Sequence, residues 1–230
     1  MNVLIVGGSS DIGISLAKYL VSLGYNVIST YNKHEFVEEN IDIIKCDIKL
    51  EKDIEYTIKY GIKKYGRIDI LINLAAISMD NSFLNKTKEE FMNVLEVNLV
   101  GTFLCNQIYS RYIDDGMIIN VSSTDGIDTY SEYSIDYSAS KAGIINISKS
   151  ISNCTRNKIL CICPNWIDSD STNNMNKEYL DSELKRIGQD RLISISELCN
   201  GIYKIINMDN DSGDIYRIDI RDGKLWIGKV

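Results

Sequence analysis

The run Val3-Leu4-Ile5-Val6, followed at once by Gly7-Gly8-Ser9-Ser10-Asp11-Ile12-Gly13, constrains this chain more than any other stretch. Consecutive apolar residues without alternation read as a strand buried on both faces, the habit of a parallel sheet. After the turn, Ile12, Leu16, Tyr19, Leu20 and Leu23 recur at helical spacing, and the pattern stops at Gly24. Tyr25 to Tyr31 is a second strand-like run. Together these make a βαβ unit, the context in which a glycine turn has a defined use. Gly7 permits the sharp turn and Gly13 lets the helix pack closely. The free N–H groups and positive end of the helix then face an anion such as a pyrophosphate. A ligand-free strand–helix turn is the alternative that this unit alone leaves open.

Strand and helix patterns alternate along the rest of the chain. Residues 32–40 are polar, and Ile41 to Cys46 reads as the third strand. That leaves room only for a shortened crossover between strands 2 and 3, without the usual helix. A helix is expected over 51–65, a fourth strand over Ile68 to Leu74, and a long helical pattern over 87–113 in which Asn98 and Gly101 break the apolar character. Met117 to Val121 is the fifth strand, Tyr137 to about Asn153 a helix, and Ile159 to Cys163 the sixth strand. Residues 164–190 look polar and irregular, 195–207 helical, and Ile215 to Ile220 a seventh strand. The expectation is an α/β fold over residues 1–230: one domain with a doubly wound parallel sheet of about seven strands.

Composition narrows the function classes. The formal charge is −7, with no long basic cluster, so no positive footprint for nucleic acid exists. No apolar run approaches the roughly 20 residues that span a bilayer. The N-terminus runs straight into the glycine turn without a basic region, so it reads as a strand and not a signal peptide, and a cytoplasmic location is expected. Cys46, Cys105, Cys154, Cys161, Cys163 and Cys199 are scattered through apolar segments and read as buried free thiols. Cys161 and Cys163 share a strand face by alternation, and no second pair completes a metal site. His34, the only histidine, lies in a polar loop, which leaves little room for a histidine-activated nucleophile.

One further spacing carries chemistry. In Tyr137-Ser138-Ala139-Ser140-Lys141 a phenol and an ammonium lie about one helical turn apart on one face. With the glycine turn before it, the chain resembles the short-chain dehydrogenase/reductase family. The resemblance runs from Val3 to Gly223. Val6 to Gly13 matches the glycine-rich turn, with Val6 and Asp11 replacing a Thr and a Gly. Asp47 matches the strand-end acid, and Asn73-Leu74-Ala75-Ala76 the Asn-Asn-Ala-Gly motif. Asn98, Ser123 and the Tyr137/Lys141 pair match the catalytic set. Pro164-Asn165 matches the Pro-Gly after strand six, and Asp222-Gly223 the C-terminal Asp-Gly. Among relatives, the chain looks most like bacterial 3-oxoacyl-[acyl-carrier-protein] reductases.

The resemblance implies a Rossmann-type fold and reduction of a carbonyl by hydride transfer. Tyr137 would give a proton to the carbonyl oxygen, Ser123 would orient that oxygen, and Lys141 would hold the nicotinamide ribose. Asn98 would hold a water that relays protons to Lys141. A free phenol titrates near about 10, so Tyr137 is expected to be pushed down by Lys141 and a positive nicotinamide ring. Implied cofactor contacts are Gly7, Ser9, Ser10, Asp11, Ile12, Gly13, Tyr31, Asn32, Lys33, Asp47, Ile48, Asn73, Ala75, Tyr137, Lys141, Pro164 and Ile167. No metal is implied. Asp11 is expected to point away from the pyrophosphate and cap the helix. At the end of the second strand, Thr30-Tyr31-Asn32-Lys33 contains no acid before Glu35, which favours NADP (NADPH), with NAD as the alternative. A short polar lid around 165–192 would cover the substrate. The substrate is expected to be a 3-oxoacyl thioester, or another small ketone, sugar or steroid alcohol. A catalytically silent nucleotide-binding regulator is the remaining reading. The apolar richness of 91–108 suggests a homotetramer or homodimer.

Overall fold

The computed structural model describes residues 1–230. Its centre is an eight-stranded sheet in the order β3 (Ile41–Lys45), β2 (Asn26–Tyr31), β1 (Asn2–Val6), β4 (Ile70–Asn73), β5 (Met117–Val121), β6 (Lys158–Pro164), β9 (Ile215–Arg221) and β10 (Lys224–Lys229). All strands through β9 are parallel, and β10 returns antiparallel to β9. Seven strands were expected. The eighth closes a hairpin at Asp222-Gly223, whose positive φ angles of 50° and 70° suit a two-residue hairpin turn. This Asp-Gly is therefore a turn, and its hairpin signal was present in the sequence.

The strands alternate between two cores. On β1, Val3 and Ile5 pack with α1 (Asp11–Ser22) and α8 (Ile195–Asn207), while Leu4 and Val6 pack with α2 (Glu51–Tyr65) and α4 (Thr102–Tyr112). The sheet is thus sandwiched between helices, and its apolar strand runs follow from burial on both faces. β2 and β3 pair in parallel with only residues 32–40 between them and no helix, so the crossover is indeed shortened. Chain order reverses between β1 and β4. Ligands of such sheets bind beyond the strand ends at that point.

The long helical pattern is α3 (Lys88–Leu95), a π-helical turn over Glu96–Gly101, and α4. Asn98 and Gly101, which break the apolar pattern, both lie in the π turn. Residues 164–190 are more regular than expected. They contain β7 (Ile167–Asp168), the single turn α6 (Asp170–Asn173) and α7 (Lys177–Ile187); β7 pairs with β8 (Ile193–Ser194) in a small second sheet. α7 has an Asn176 cap, and Gly188 ends it at φ 69°. It buries no residue, so its polar sequence concealed it. Five cysteines are buried as expected, whereas Cys154 is exposed.

Candidate active site

Gly7 opens the turn after β1 with φ 85°, and a Cβ there would stand 2.4 Å from Ala75 Cα. Only glycine lets β1 and β4 deliver their loops this close. Ser10 caps α1 by accepting from the Gly13 N–H at 3.1 Å. No acceptor of the protein takes the N–H groups of Ser9 and Ser10, which leaves donors at the positive end of α1. Asp11 shares the capping of α1 with Ser10, because it takes a first-turn N–H of the helix. Its Oδ1 accepts from its neighbour Ile12 at 2.8 Å, and its Oδ2 accepts from the Asp170 N–H at 2.7 Å. It ties the glycine turn to the first turn of α6.

A cleft of about 790 Å³ runs from this turn to the other half of the sheet. It is lined by Ser10, Asp11, Ile12, Ser123, Tyr137 and Lys141, and also by Pro164 and Ile167. Five elements therefore bring these expected residues together. The other expected cofactor residues, Gly7, Ser9, Gly13, Tyr31, Asn32, Lys33, Asp47, Ile48, Asn73 and Ala75, lie outside the cleft walls. Asn73 is turned inward: its Nδ2 donates to Asn106 Oδ1 at 3.0 Å and Asn120 Oδ1 at 2.8 Å. Its side chain belongs to a buried amide network that a sequence motif does not reveal. Ile48 is buried against Gly101. Asp47 accepts from the Lys49 N–H at 3.0 Å. At the last residue of β2, loss of solvent and then the neighbouring Glu35 carboxylate push the Tyr31 phenol up. An acid thus stands beside the end of β2 after all, brought there by the short crossover.

Tyr137 and Lys141 sit on α5 (Ile135–Ile151), with Lys141 Nζ 5.2 Å from the Tyr137 ring centroid. Lys141 is 2% exposed and donates to the Val121 carbonyl at 2.8 Å. Burial lowers it to about 8, against the partial opposition of Cys161, Cys163 and Asp125. The sequence expectation of a lowered Tyr137 counts on the nicotinamide ring as well as Lys141, and the protein's own groups act the other way. Burial pushes its phenol up, Asp125 adds to this, and the adjacent Ser123 hydroxyl opposes both. Lys141 spends its ammonium on a backbone carbonyl, and the protein alone gives no acidic phenol.

Ser123 ends the loop after β5, and its Oγ accepts from the Asp125 N–H at 3.1 Å. The three-residue turn Thr124–Gly126 then packs on α5. A Cβ at Gly126 would meet the Lys141 carbonyl carbon at 2.6 Å. Asn98 is fully buried in the π turn. Its Oδ1 accepts from the Ile77 N–H at 2.8 Å, and its Nδ2 donates to Ile77 O at 2.9 Å and Ser140 Oγ at 3.1 Å. Ser140 Oγ donates to the Tyr137 carbonyl at 2.7 Å. Asn98 therefore clamps the loop after β4 and supports the helical turn that carries Tyr137.

Sequence reasoning missed Asp125, Trp166 and Tyr179, which line the cleft, and the buried pair Lys86–Asp136 beside Tyr137. Asp136 next to Tyr137 at a helix start was the only available hint. Lys86 resembles any solvated loop lysine.

A glycine turn at the reversal point of a doubly wound sheet, with a tyrosine and a lysine in the adjoining cleft, defines a nucleotide-dependent oxidoreductase of the Rossmann class. The chain belongs to the short-chain dehydrogenase family, whose model matches residues 1–180. It is 28% identical over 216 residues to the 3-oxoacyl-[acyl-carrier-protein] reductase FabG of Staphylococcus epidermidis, covering 86% of this chain and 88% of that protein. The solved short chain dehydrogenase of Leptospira borgpetersenii with bound NAD+ superposes with TM-score 0.85 at 28% identity, covering 95% of this chain and 91% of that one. ElxO with NADP bound superposes with TM-score 0.78 at 25% identity, covering 94% and 96%. The family binds NAD(P), and the protein is an oxidoreductase of this family.

Proposed function

We propose that the protein reduces a carbonyl to an alcohol with NADPH, using Tyr137 as the acid. The observation that carries this reading is the convergence of Ser123, Tyr137 and Lys141 on one cleft that begins at the glycine turn. The residues present fit a dinucleotide, since Ser9 and Ser10 offer free N–H groups at the positive end of α1. When bound, the nicotinamide supplies the hydride. Ser123 donates a hydrogen bond to the substrate oxygen and fixes its position. Tyr137 gives its phenolic proton to that oxygen as negative charge develops on it. Lys141, charged below about pH 8, holds the ribose side of the site and favours the phenolate that remains. Asn98, through Ser140, keeps the Tyr137 turn in place.

NADPH is favoured by Asn32 and Lys33 after β2, both exposed and available to a 2′-phosphate, although Glu35 beside Tyr31 speaks for NAD. The 3-oxoacyl thioester is the substrate that the curated relative's name suggests, which would place the enzyme in fatty acid biosynthesis. A second substrate class, another small ketone, sugar or steroid alcohol, is favoured by polar side chains of the cleft such as Ser131, Asn174 and Asn176. Residues 165–192 act as the lid over a single dinucleotide-binding domain. The exposed Met92, Val100 and Phe103 on the α3–α4 rod support a homodimer or homotetramer, and a cytoplasmic location suits the reaction. No helix is long and apolar enough to cross a membrane.

The test is fluorescence titration with NADPH and NADH, followed by rates with acetoacetyl thioesters and a panel of ketones. Tighter NADPH binding and thioester turnover are expected. Tighter NADH binding removes the cofactor choice. Turnover of other ketones alone removes the thioester. Nucleotide binding without turnover of any carbonyl leaves a silent regulator.

A further inference from the structure

One carboxylate in the cleft has no part in the steps above. Asp125 follows Ser123 by two residues and lines the same cleft as Ser123, Tyr137 and Lys141. It is fixed from three sides. Its N–H donates to Ser123 Oγ, its Oδ1 accepts from Thr129 Oγ1 at 2.8 Å, and Gly126 seats its turn on the backbone of α5. Its second oxygen, Oδ2, has no partner in the protein, for the Thr129 contact is the only hydrogen bond of the carboxylate. Asp125 lines the cleft and Oδ2 is not sealed from solvent, so this oxygen is free to accept from a ligand donor in place of water.

The surroundings say which donor. Lys141 and Arg186 are the cations that act on Asp125, with Glu183 beyond. Arg186 does not pair with it, because its guanidinium donates to Glu183 and to the Tyr130 carbonyl. A substrate ammonium would meet the like charge of these two cations. A neutral hydroxyl would not. The adjoining walls carry Ser131, Ser134, Asn176 and Tyr179, groups that give and accept hydrogen bonds without charge.

We propose that Asp125 Oδ2 reads the substrate by accepting a hydrogen bond from a hydroxyl near its carbonyl, so that the cleft selects hydroxylated ketones and aldehydes. The inference rests on the carbonyl-reductase reading and sides with its second substrate class. Ser123 and Tyr137 take the carbonyl oxygen, and Asp125, fixed beside Ser123, takes the substituent.

The test compares 1-hydroxy-2-butanone with 2-butanone, which differ by one hydroxyl, at saturating cofactor. The wild-type protein is expected to favour the hydroxylated ketone in kcat/KM by about 10- to 100-fold, the range of a hydrogen bond to a charged group. Asp125→Leu should bring that ratio close to one, mainly through KM, and Asp125→Asn should fall between. Cofactor affinity, measured in the same variants, should stay unchanged and reports that they fold. Equal loss of kcat/KM for both ketones in Asp125→Leu overturns the inference, as does a wild-type preference for 2-butanone or failure to reduce either ketone. A parallel Tyr137→Phe variant separates the two readings: retention of the wild-type rate there overturns the reductase reading itself.

Discussion

Lys86 Nζ lies 3.0 Å from Asp136 Oδ2, and the two side chains are 3% and 0% exposed. Lys86 also donates to the Met79 carbonyl, and Asp136 Oδ1 accepts from the Tyr137 N–H at 3.0 Å. A buried ion pair therefore joins the loop after β4 to the residue that precedes Tyr137. The loop and the helix both line the cleft, and this pair ties one to the other.

Lys86→Met should cost about 3–5 kcal/mol, because it leaves the Asp136 charge buried and unpaired. The double variant Lys86→Met with Asp136→Asn should recover most of that loss. Urea denaturation of the single and double variants measures both. A double variant as unstable as the single would show that the charge is not the cause.

Lys141 gives a pH signature. Its folded value, lowered to about 8 by burial, lies below the ordinary lysine value. Between the two, the unfolded chain holds a proton that the folded chain has released, so this group makes stability rise with pH in that window. Below about pH 8 both states are protonated and the folded state carries the full penalty of the buried charge. Lys141→Met should therefore gain stability relative to wild type near pH 7. The advantage should shrink by on the order of 2–4 kcal/mol as pH approaches 10.5. Denaturant midpoints across pH 7–10.5 follow the difference. A difference that does not change with pH would contradict it.

Gly126→Ala puts a methyl group 2.6 Å from the Lys141 carbonyl carbon. The Thr124–Gly126 turn must then lift from α5, at a cost of about 1–3 kcal/mol. Because the same turn carries Asp125 and follows Ser123, turnover should fall along with the melting temperature. Thermal unfolding and kcat measured together check this.

Asp11→Ala removes the acceptor of the Asp170 N–H. The first turn of α6 should open more often, with amide exchange at 170–173 faster by roughly 5- to 10-fold, as expected for about one hydrogen bond. Exchange in β1 should stay unchanged. Hydrogen–deuterium exchange resolved by peptide distinguishes the two regions.

Much of the fold was legible because its signals are local. The apolar runs of β1, β5 and β6 report burial on both faces, and α8 matches its expected span of 195–207. The missed pieces had weak or polar signals. α7 buries nothing, so it has no apolar stripe to read. β10 is a half-exposed edge strand behind a hairpin turn that was read only as the family's C-terminal Asp-Gly. In the site, the structure brings Tyr137, Lys141 and Ser123 to one cleft, because strand ends and one helix face converge beyond the sheet. The directions in which Asn73 and Asn98 point were not legible. Their partners, Asn106, Asn120, Ile77 and Ser140, are brought to them by sheet order and helix packing.

The sequence by itself determined the βαβ unit, the alternation that builds a doubly wound sheet, and the tyrosine–lysine spacing on one helix face. Periodicity and glycine turns act over a few residues, so local sterics and burial suffice to write them. Only the tertiary structure decided the rest. It buried Lys141 against the Val121 carbonyl, enclosed the Tyr137 phenol so that burial pushes it up, paired Lys86 with Asp136, and left one oxygen of Asp125 without a protein partner. Desolvation and charge pairing depend on which atoms lie nearby in space, and chain packing alone sets those distances.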